Sequence, residues 1–169
     1  KAKTRKDQML YGIIQGGRYN SLRKSSAKFV ASLPVDGFGI GGSFGQNETV
    51  KKLRIVIPFL PYEKPRHLLG IGQSQDIFNA VENGVDTFDC VIPTREARHA
   101  RLWTNKGPID ARKGKYATSK SIIERGCQCP TCAKGITMAK IRELFKVKSP
   151  EAGRYATMHN IWFFNTLLE

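Results

Sequence analysis

GVDTFDCVIPTREARHARLWT, residues 84–104, joins an apolar run to a basic one. The first half reads as a buried strand, VDTFDCVIP (85–93), yet it holds two carboxylates, Asp86 and Asp89. The second half places Arg95, Arg98 and Arg101 within seven residues and reads as a basic loop. Side chains alternate between the faces of a strand with a period of two. Val85, Thr87, Asp89 and Val91 therefore share one face, and Asp86, Phe88, Cys90 and Ile92 the other. Asp86 falls near the strand start, within reach of water. Asp89 falls near the far end, pointing to the inner side of any barrel the strand belongs to. A buried carboxylate is costly unless paired or used. Asp89 is thus a functional carboxylate, or a structural one that pairs with a nearby arginine.

Three earlier runs have the same character: LYGIIQGG (10–17), DGFGIGG (36–42) and HLLGIG (67–72). Helical patterns lie between them. SLRKSSAKFVASL (21–33) opens on a capping serine and sets Leu22, Phe29 and Leu33 roughly on one face. NETVKKLRIVIPFL (47–60) opens on Asn47 and is interrupted by Pro58, and SQDIFNAVENG (74–84) runs from Ser74 to Gly84. Strands alternating with helices indicate βα units and a parallel sheet. Four such units make half of an eight-fold barrel. Function gathers at the C-terminal ends of such strands, which here read QGG, GGS, GIGQ and DCVIPTR. Glycine at three successive ends suits a flat ligand that approaches the backbone closely.

Bulk properties narrow the class. The chain has 169 residues, 40% hydrophobic and 25% charged, with 28 basic against 14 acidic side chains and a net charge of +14. That excess points to an anionic partner, nucleic acid first. No apolar run reaches the roughly 18 residues of a membrane span, and no basic amphipathic helix suggests a membrane surface. The start, KAKTRKDQML, is basic without the apolar stretch of a signal peptide. It does not begin with Met, which points to a truncated start.

Three of the four cysteines lie in CQCPTC: Cys127, Cys129 and Cys132. Such clustering favours a metal over a disulfide framework, and three thiolates at this spacing can meet one tetrahedral Zn2+ that still needs a fourth ligand. His159, in TMHNIWFF, is the best placed, and the intervening chain is long enough for a small helix, TMAKIRELF. His67, His99 and Cys90 are the alternatives.

Taken together and in order, YGIIQGG, DGFGIGG, KPRHLLGIG, GVDTFDCVIPTR with Arg98 after it, CQCPTC and HNIWFF resemble the tRNA-guanine transglycosylases, also called queuine tRNA-ribosyltransferases. The resemblance covers nearly the whole chain, but only the C-terminal half of the family's length. It implies an α/β fold: the C-terminal half of a (β/α)8 TIM-type barrel with a zinc-binding subdomain. Residues 1–106 would be the partial barrel, and residues 107–169 the zinc subdomain and C-terminal helix. It implies exchange of guanine at the tRNA wobble position for a 7-deazaguanine base, through a covalent intermediate on Asp89. It further implies base binding by Gln15, Gly41 and Gly42, RNA binding by Arg95 and Arg98, and Zn2+ on Cys127, Cys129, Cys132 and His159. The implied partners are the tRNA anticodon arm, the deazaguanine base, and either a second copy of the chain or a missing N-terminal half. The clustered cysteines without a signal peptide favour a cytoplasmic location, with no membrane contact expected.

Three departures stand out. Ala100 occupies a position where the family has glycine. Ser43, Phe44, Gly45 and Gln46 form a run that looks one residue shorter than the family's. The family's N-terminal strands, with their acid/base carboxylate, have no counterpart in these residues. Two rival readings are a non-catalytic tRNA-binding accessory subunit and a zinc module that binds RNA without chemistry. An intact Asp89 disfavours the first, and QGG and FDC at strand ends disfavour the second.

Overall fold

Strands and helices alternate in the order set by the apolar runs. The computed structural model describes residues 5, 7–42, 44 and 48–169. By its contacts the chain groups into two units, Lys1–Cys90 and Val91–Glu169. The first unit runs β1 (Tyr11–Ile14), α1 (Asn20–Ala31), β2 (Gly37–Ile40), α2 (Thr49–Val56), a 3-10 turn (Ile57–Phe59), β3 (Arg66–Leu69), α3 (Ser74–Glu82) and β4 (Thr87–Asp89). The four strands form one parallel sheet in the order β1-β2-β3-β4. Each neighbouring pair is bridged by a helix, as parallel pairing requires.

The two faces of this sheet differ. Ile14, Phe38, Ile40 and Leu68 point under the helices and are fully buried with Ala27, Leu53, Val56 and Ala80. Each large side chain so buried contributes about 1.5–3 kcal/mol. On the other face, pairing aligns Ile13, Gly39, His67 and Thr87 in one row, with Leu69 opposite Asp89 in the next. Ile13 is 46% exposed there. Asp89 lies on this face, which carries no helix among the described residues of its own unit, at the C-terminal end of its strand.

The structure corrects several local expectations. The strand in the opening stretch ends at Asp89, and Val91 instead precedes α4 (Ile92–Arg98). Pro93 explains this: it has no N–H for a ladder, and its fixed φ suits a helix's first turn. The arginine stretch is therefore largely helical rather than a loop. In α1 the buried residues are Arg23, Ala27 and Val30, while Leu22, Phe29 and Leu33 are exposed. Tyr19, not Ser21, is the N-cap of α1, and Gln73 precedes α3. Gly84, at φ 85°, closes the turn after α3 with an N–H bond to the Val81 carbonyl of 2.9 Å. Pro58 lies in the 3-10 turn that follows α2. Asn47, and the run of Ser43, Gly45 and Gln46, lie outside the described residues.

The second unit contains α4, an antiparallel pair β5 (Arg101–Leu102) and β6 (Ile109–Asp110), then α5 (Pro130–Ala133), α6 (Met138–Lys146) and α7 (Pro150–Asn165). Thr137 caps α6 and Ser149 caps α7 through their hydroxyls. Ala97, Leu102, Ala111, Ile141 and Ala156 form part of its core.

Candidate functional site

Asp89 is fixed from two sides. His67 Nε2 lies 3.0 Å from its Oδ1, and the Gly70 N–H donates to the same oxygen at 3.3 Å. The other ring nitrogen, Nδ1, lies 2.8 Å from Thr87 Oγ1. With Asp89 ionised, the fitting arrangement has Nε2–H donating to the carboxylate and the Thr87 hydroxyl donating to Nδ1. Among the described residues Oδ2 has no such partner. Its partner is thus a histidine on the adjacent strand, not an arginine of the following helix. Asp86, two residues before β4's midpoint, has a structural job. Its Oδ2 accepts the Arg66 N–H at 2.7 Å and faces the buried Arg66 guanidinium at 3.7 Å.

Gln15, Gly41 and Gly42 come together just past β1 and β2. A Cβ on Gly42 would stand 2.6 Å from Gln15 Oε1, and one on Gly41 would stand 3.1 Å from Gln15 Nε2. Gly42 also has φ 85°, which favours glycine. The middle strand offers no side chains to this face. A Cβ on Gly37 would meet the Tyr11 ring at 2.7 Å, and one on Gly39 would meet Ile13 Cδ1 at 2.6 Å. The result is a row of bare backbone on β2 with Tyr11, Ile13, Gln15 and Leu69 of the flanking strands leaning over it; its C-terminal end, at Gln15, Gly41 and Gly42, is called the slot below.

Arg23 holds the slot's rim. It is fully buried, donates to the Gly17 carbonyl at 2.8 Å and the Gly41 carbonyl at 3.1 Å, and stacks over the Phe44 ring at 4.4 Å. Burial pulls its pKa below the ordinary arginine value. Sequence reasoning missed Arg23, and it offered His67 only as an alternative zinc ligand. An arginine in a helical pattern reads as a solvated side chain, and His67 acquires its partner only through strand register. Cys90 packs against Gly72, where a Cβ would meet its Cβ at 2.4 Å.

Arg95 and Arg98 are exposed, one turn apart on α4. Glu96 between them pairs with Arg101 Nε at 3.1 Å and accepts Trp103 Nε1–H at 3.0 Å.

Cys127, Cys129, Cys132 and His159 converge, with their ligand atoms all within 4.8 Å of one another. His159 Nδ1 stands 3.7, 3.5 and 3.8 Å from the three sulfurs. A tetrahedron with Zn–S of about 2.3 Å and Zn–N of about 2.0 Å has S···N edges of roughly 3.5 Å, so the cage has the size of a metal site. The backbone N–H groups of Cys129 and Cys132 point at the sulfurs of Cys127 and Cys129, at 3.4 and 3.3 Å. His159 is completely buried, and its Nε2–H donates to the Trp103 carbonyl at 2.7 Å, which leaves Nδ1 for a metal. The hydrogen bond from Cys132 draws the Cys129 pKa down to about 3. The same pairing raises Cys132, and burial raises Cys127. Three thiolates can share this cage only around a cation. His67 and Cys90, the other candidate ligands, lie in the first unit; His99 lies beside the arginines.

Next to His159, the fully buried Asn160 ties three segments together. Its Oδ1 accepts the Trp103 N–H at 3.0 Å, and its Nδ2 donates to the Pro93 and Arg101 carbonyls at 3.0 and 2.9 Å.

Comparison with known proteins agrees in order and extent. The family model described as queuine tRNA-ribosyltransferase matches residues 1–169. A curated relative of that name from Clostridium acetobutylicum is 45% identical over 167 residues, covering 97% of this chain and 44% of that protein. One from Clostridium perfringens is 43% identical with the same coverage. One from Clostridium botulinum is 42% identical over 165 residues, 96% of this chain and 44% of that protein. The chain spans less than half the length of these relatives.

Proposed function

The chain belongs to the queuine tRNA-ribosyltransferase family, and from that premise we propose that it carries the ribosyl-transfer part of a tRNA-guanine transglycosylase. The observation that carries this reading is Asp89, exposed on the helix-free face with one oxygen clamped and the other open. Oδ2 would attack C1′ of the ribose as the bond to guanine breaks, and the base would leave with its ring nitrogen protonated by the acid/base carboxylate of the N-terminal portion. The incoming 7-deazaguanine base would then attack C1′ from the vacated side, pass its ring proton back to that carboxylate and free Asp89. The sugar is cation-like in the transition state of each displacement, as in glycoside hydrolysis, and two displacements retain configuration. The target base must leave its stack to reach the slot.

The slot formed by Gln15, Gly41 and Gly42 is the proposed seat of the base, with Arg23 holding its rim. Arg95 and Arg98 would hold the RNA beside the reacting ribose, where the guanidinium fork suits phosphate. Their position in sequence, directly after Asp89's strand, explains the abrupt change of character in the opening stretch. By role, residues 1–106 would supply half of a (β/α)8 barrel with the base, ribose and RNA contacts, and residues 107–169 a zinc subdomain. Zn2+ is the cation we assign to the Cys127, Cys129, Cys132 and His159 cage. Four protein ligands leave no open position for water, so the metal would organise the fold rather than take part in exchange. No described helix is long and apolar enough to cross a membrane, and reduced thiols beside a tRNA substrate fit the cytoplasm.

The test is a denaturing gel. The chain, complemented with the N-terminal portion of a clostridial relative, is mixed with an anticodon stem-loop RNA and the deazaguanine base is withheld. A covalent protein–RNA band is expected, and its persistence in Asp89→Asn would refute the assignment.

A further inference from the structure

We infer that His67 and Thr87 are positioning residues that make Asp89 a reversible nucleophile: they hold its Oδ1 so that Oδ2 attacks the ribose, and they favour return of the carboxylate when the second base arrives. This deepens the function proposed above and rests on it.

Strand register builds the arrangement. His67 of β3 stands opposite Thr87 of β4, and Leu69 opposite Asp89, so the imidazole reaches Asp89 diagonally. Its register partner on the other side is Gly39 of β2, which brings no side chain to compete for the ring. The contacts then run in a line. Thr87 Oγ1 lies 2.8 Å from Nδ1, and Nε2 lies 3.0 Å from Asp89 Oδ1. Each partner fixes the next. With the Thr87 hydroxyl donating to Nδ1, the proton of the neutral imidazole sits on Nε2, aimed at the carboxylate. The opposite tautomer would set the Nε2 lone pair against Oδ1. The Gly70 N–H donates to the same oxygen at 3.3 Å. Both donors choose Oδ1, and Oδ2 is the oxygen left for the ribose.

Charge explains why these donors matter beyond orientation. A hydrogen bond to a carboxylate favours its ionised form. When Oδ2 bonds to C1′ and the bond to guanine breaks, the electron pair leaves with the base, and the negative charge of Asp89 is neutralised in the ester. When the incoming base attacks, the C1′–Oδ2 bond breaks and its electron pair returns to the carboxylate. N–H groups on Oδ1 stabilise that carboxylate more than they stabilise the ester carbonyl. They therefore shift the balance away from the adduct and toward its release. An enzyme that must hand the ribose on to a second base needs that bias.

The test uses the chain complemented with the N-terminal portion of a clostridial relative and saturating anticodon stem-loop RNA. The covalent band on a denaturing gel is followed as guanine is added back. The side chains of His67 and Asp89 are 24% and 62% exposed, so water softens the effect of losing a charged hydrogen bond. In His67→Phe the guanine needed to reverse half of the adduct is expected to rise on the order of 3- to 10-fold. Thr87→Val leaves the ring in place but frees it to take either tautomer, and should move the midpoint the same way by less. Thr87→Ser and His67→Gln keep the donors and should stay within about 2-fold of the unmodified protein. A side chain that merely packed would slow adduct formation without raising this midpoint. In the isolated 169-residue chain, nitrogen NMR of the imidazole in mildly alkaline buffer should show His67 protonated at Nε2 and bare at Nδ1. If His67→Phe forms no band, Thr87→Val and the ring spectrum decide. An unmoved or lowered midpoint in either variant overturns the role of the residue it replaces, and a proton on Nδ1 overturns the line of contacts; both leave the transglycosylase reading intact. No covalent band from the unmodified complex overturns both readings.

Discussion

Ala100 has a left-handed backbone, φ 64°, immediately after α4, and is fully buried. A non-glycine residue pays about 1–2 kcal/mol there, so the glycine that the family resemblance leads one to expect has a physical reason. Two opposing effects meet in Ala100→Gly. Relief of strain is offset by lost burial of a methyl, about 0.8 kcal/mol, and by glycine's unfolded-state entropy, about 0.5–1 kcal/mol. We predict a change in unfolding free energy within about 0.5 kcal/mol by chemical denaturation, whereas Ala100→Val should cost more than about 2 kcal/mol, because a β-branched residue fits that conformation poorly. Asn160 gives the opposite case. Asn160→Ala leaves the buried Trp103 N–H without this acceptor and takes a donor from the Pro93 and Arg101 carbonyls, and a loss of about 2–4 kcal/mol is expected in the same assay; a loss under 1 kcal/mol would mean that water replaces the amide. The two neighbours in HNIWFF also show what a sequence discloses. His159 stood out because three clustered thiols call for a fourth ligand. Asn160, Arg23 and His67 did not, because each acquires its meaning from a backbone or strand that only the fold brings near.

At the scale of elements, the order of strands and helices was legible from apolar runs and glycine punctuation, and the parallel pairing from their alternation. Helix faces were less so. The α1 pattern favoured Leu22, Phe29 and Leu33, but the buried face is the one that lets Arg23 reach two turn carbonyls. Strand ends were misjudged where an apolar run continued into a helix, as at Val91 and Ile92. The metal cage joins a short element to a distant one: α5 has four residues, and His159 arrives from α7. Metal binding free energy is folding free energy in such modules. One Zn2+ per chain is expected by elemental analysis. In Cys129→Ser the metal should be lost, and amide exchange should rise mainly after about residue 107. Protons compete for the sulfurs, so the wild-type cage should release metal as the pH falls and retain it as the pH rises. A metal-free chain with unchanged exchange protection would remove the cage's structural role.

For the whole molecule, the decisive facts are the +14 charge and a parallel sheet with β1 and β4 at its edges. Parallel sheets are normally covered on both faces. Here the face that carries Asp89 has no helices among the described residues of its own unit, and the carboxylate is exposed. Water there weakens any field that would stabilise a ribosyl cation. The acid/base partner expected from the family is also absent from these residues, a loss typically worth about 100- to 10,000-fold. We therefore predict that the 169-residue chain alone does not turn over guanine exchange, and that an added N-terminal half from a relative, or pairing of two copies, is needed. Incorporation of labelled guanine into tRNA, with and without that half, checks it; sustained turnover by the chain alone would show that the catalytic set is already complete.

For a cell accumulating mutations, the side-chain-free row on β2 separates two kinds of damage. A methyl at Gly39 collides with the tip of Ile13, an exposed end that can swing aside, and meets Leu69 Cδ1 at an ordinary contact distance of 3.5 Å. Proteases and chaperones survey the fold, and such an allele would pass them at normal abundance. The row beside the slot, however, would no longer be bare. On the function proposed above, the gene product would still hold RNA while failing to admit a base, and would shield that RNA from working copies. Alleles at Gly39 should therefore behave as dominant poisons, and alleles at Asn160 as recessive losses.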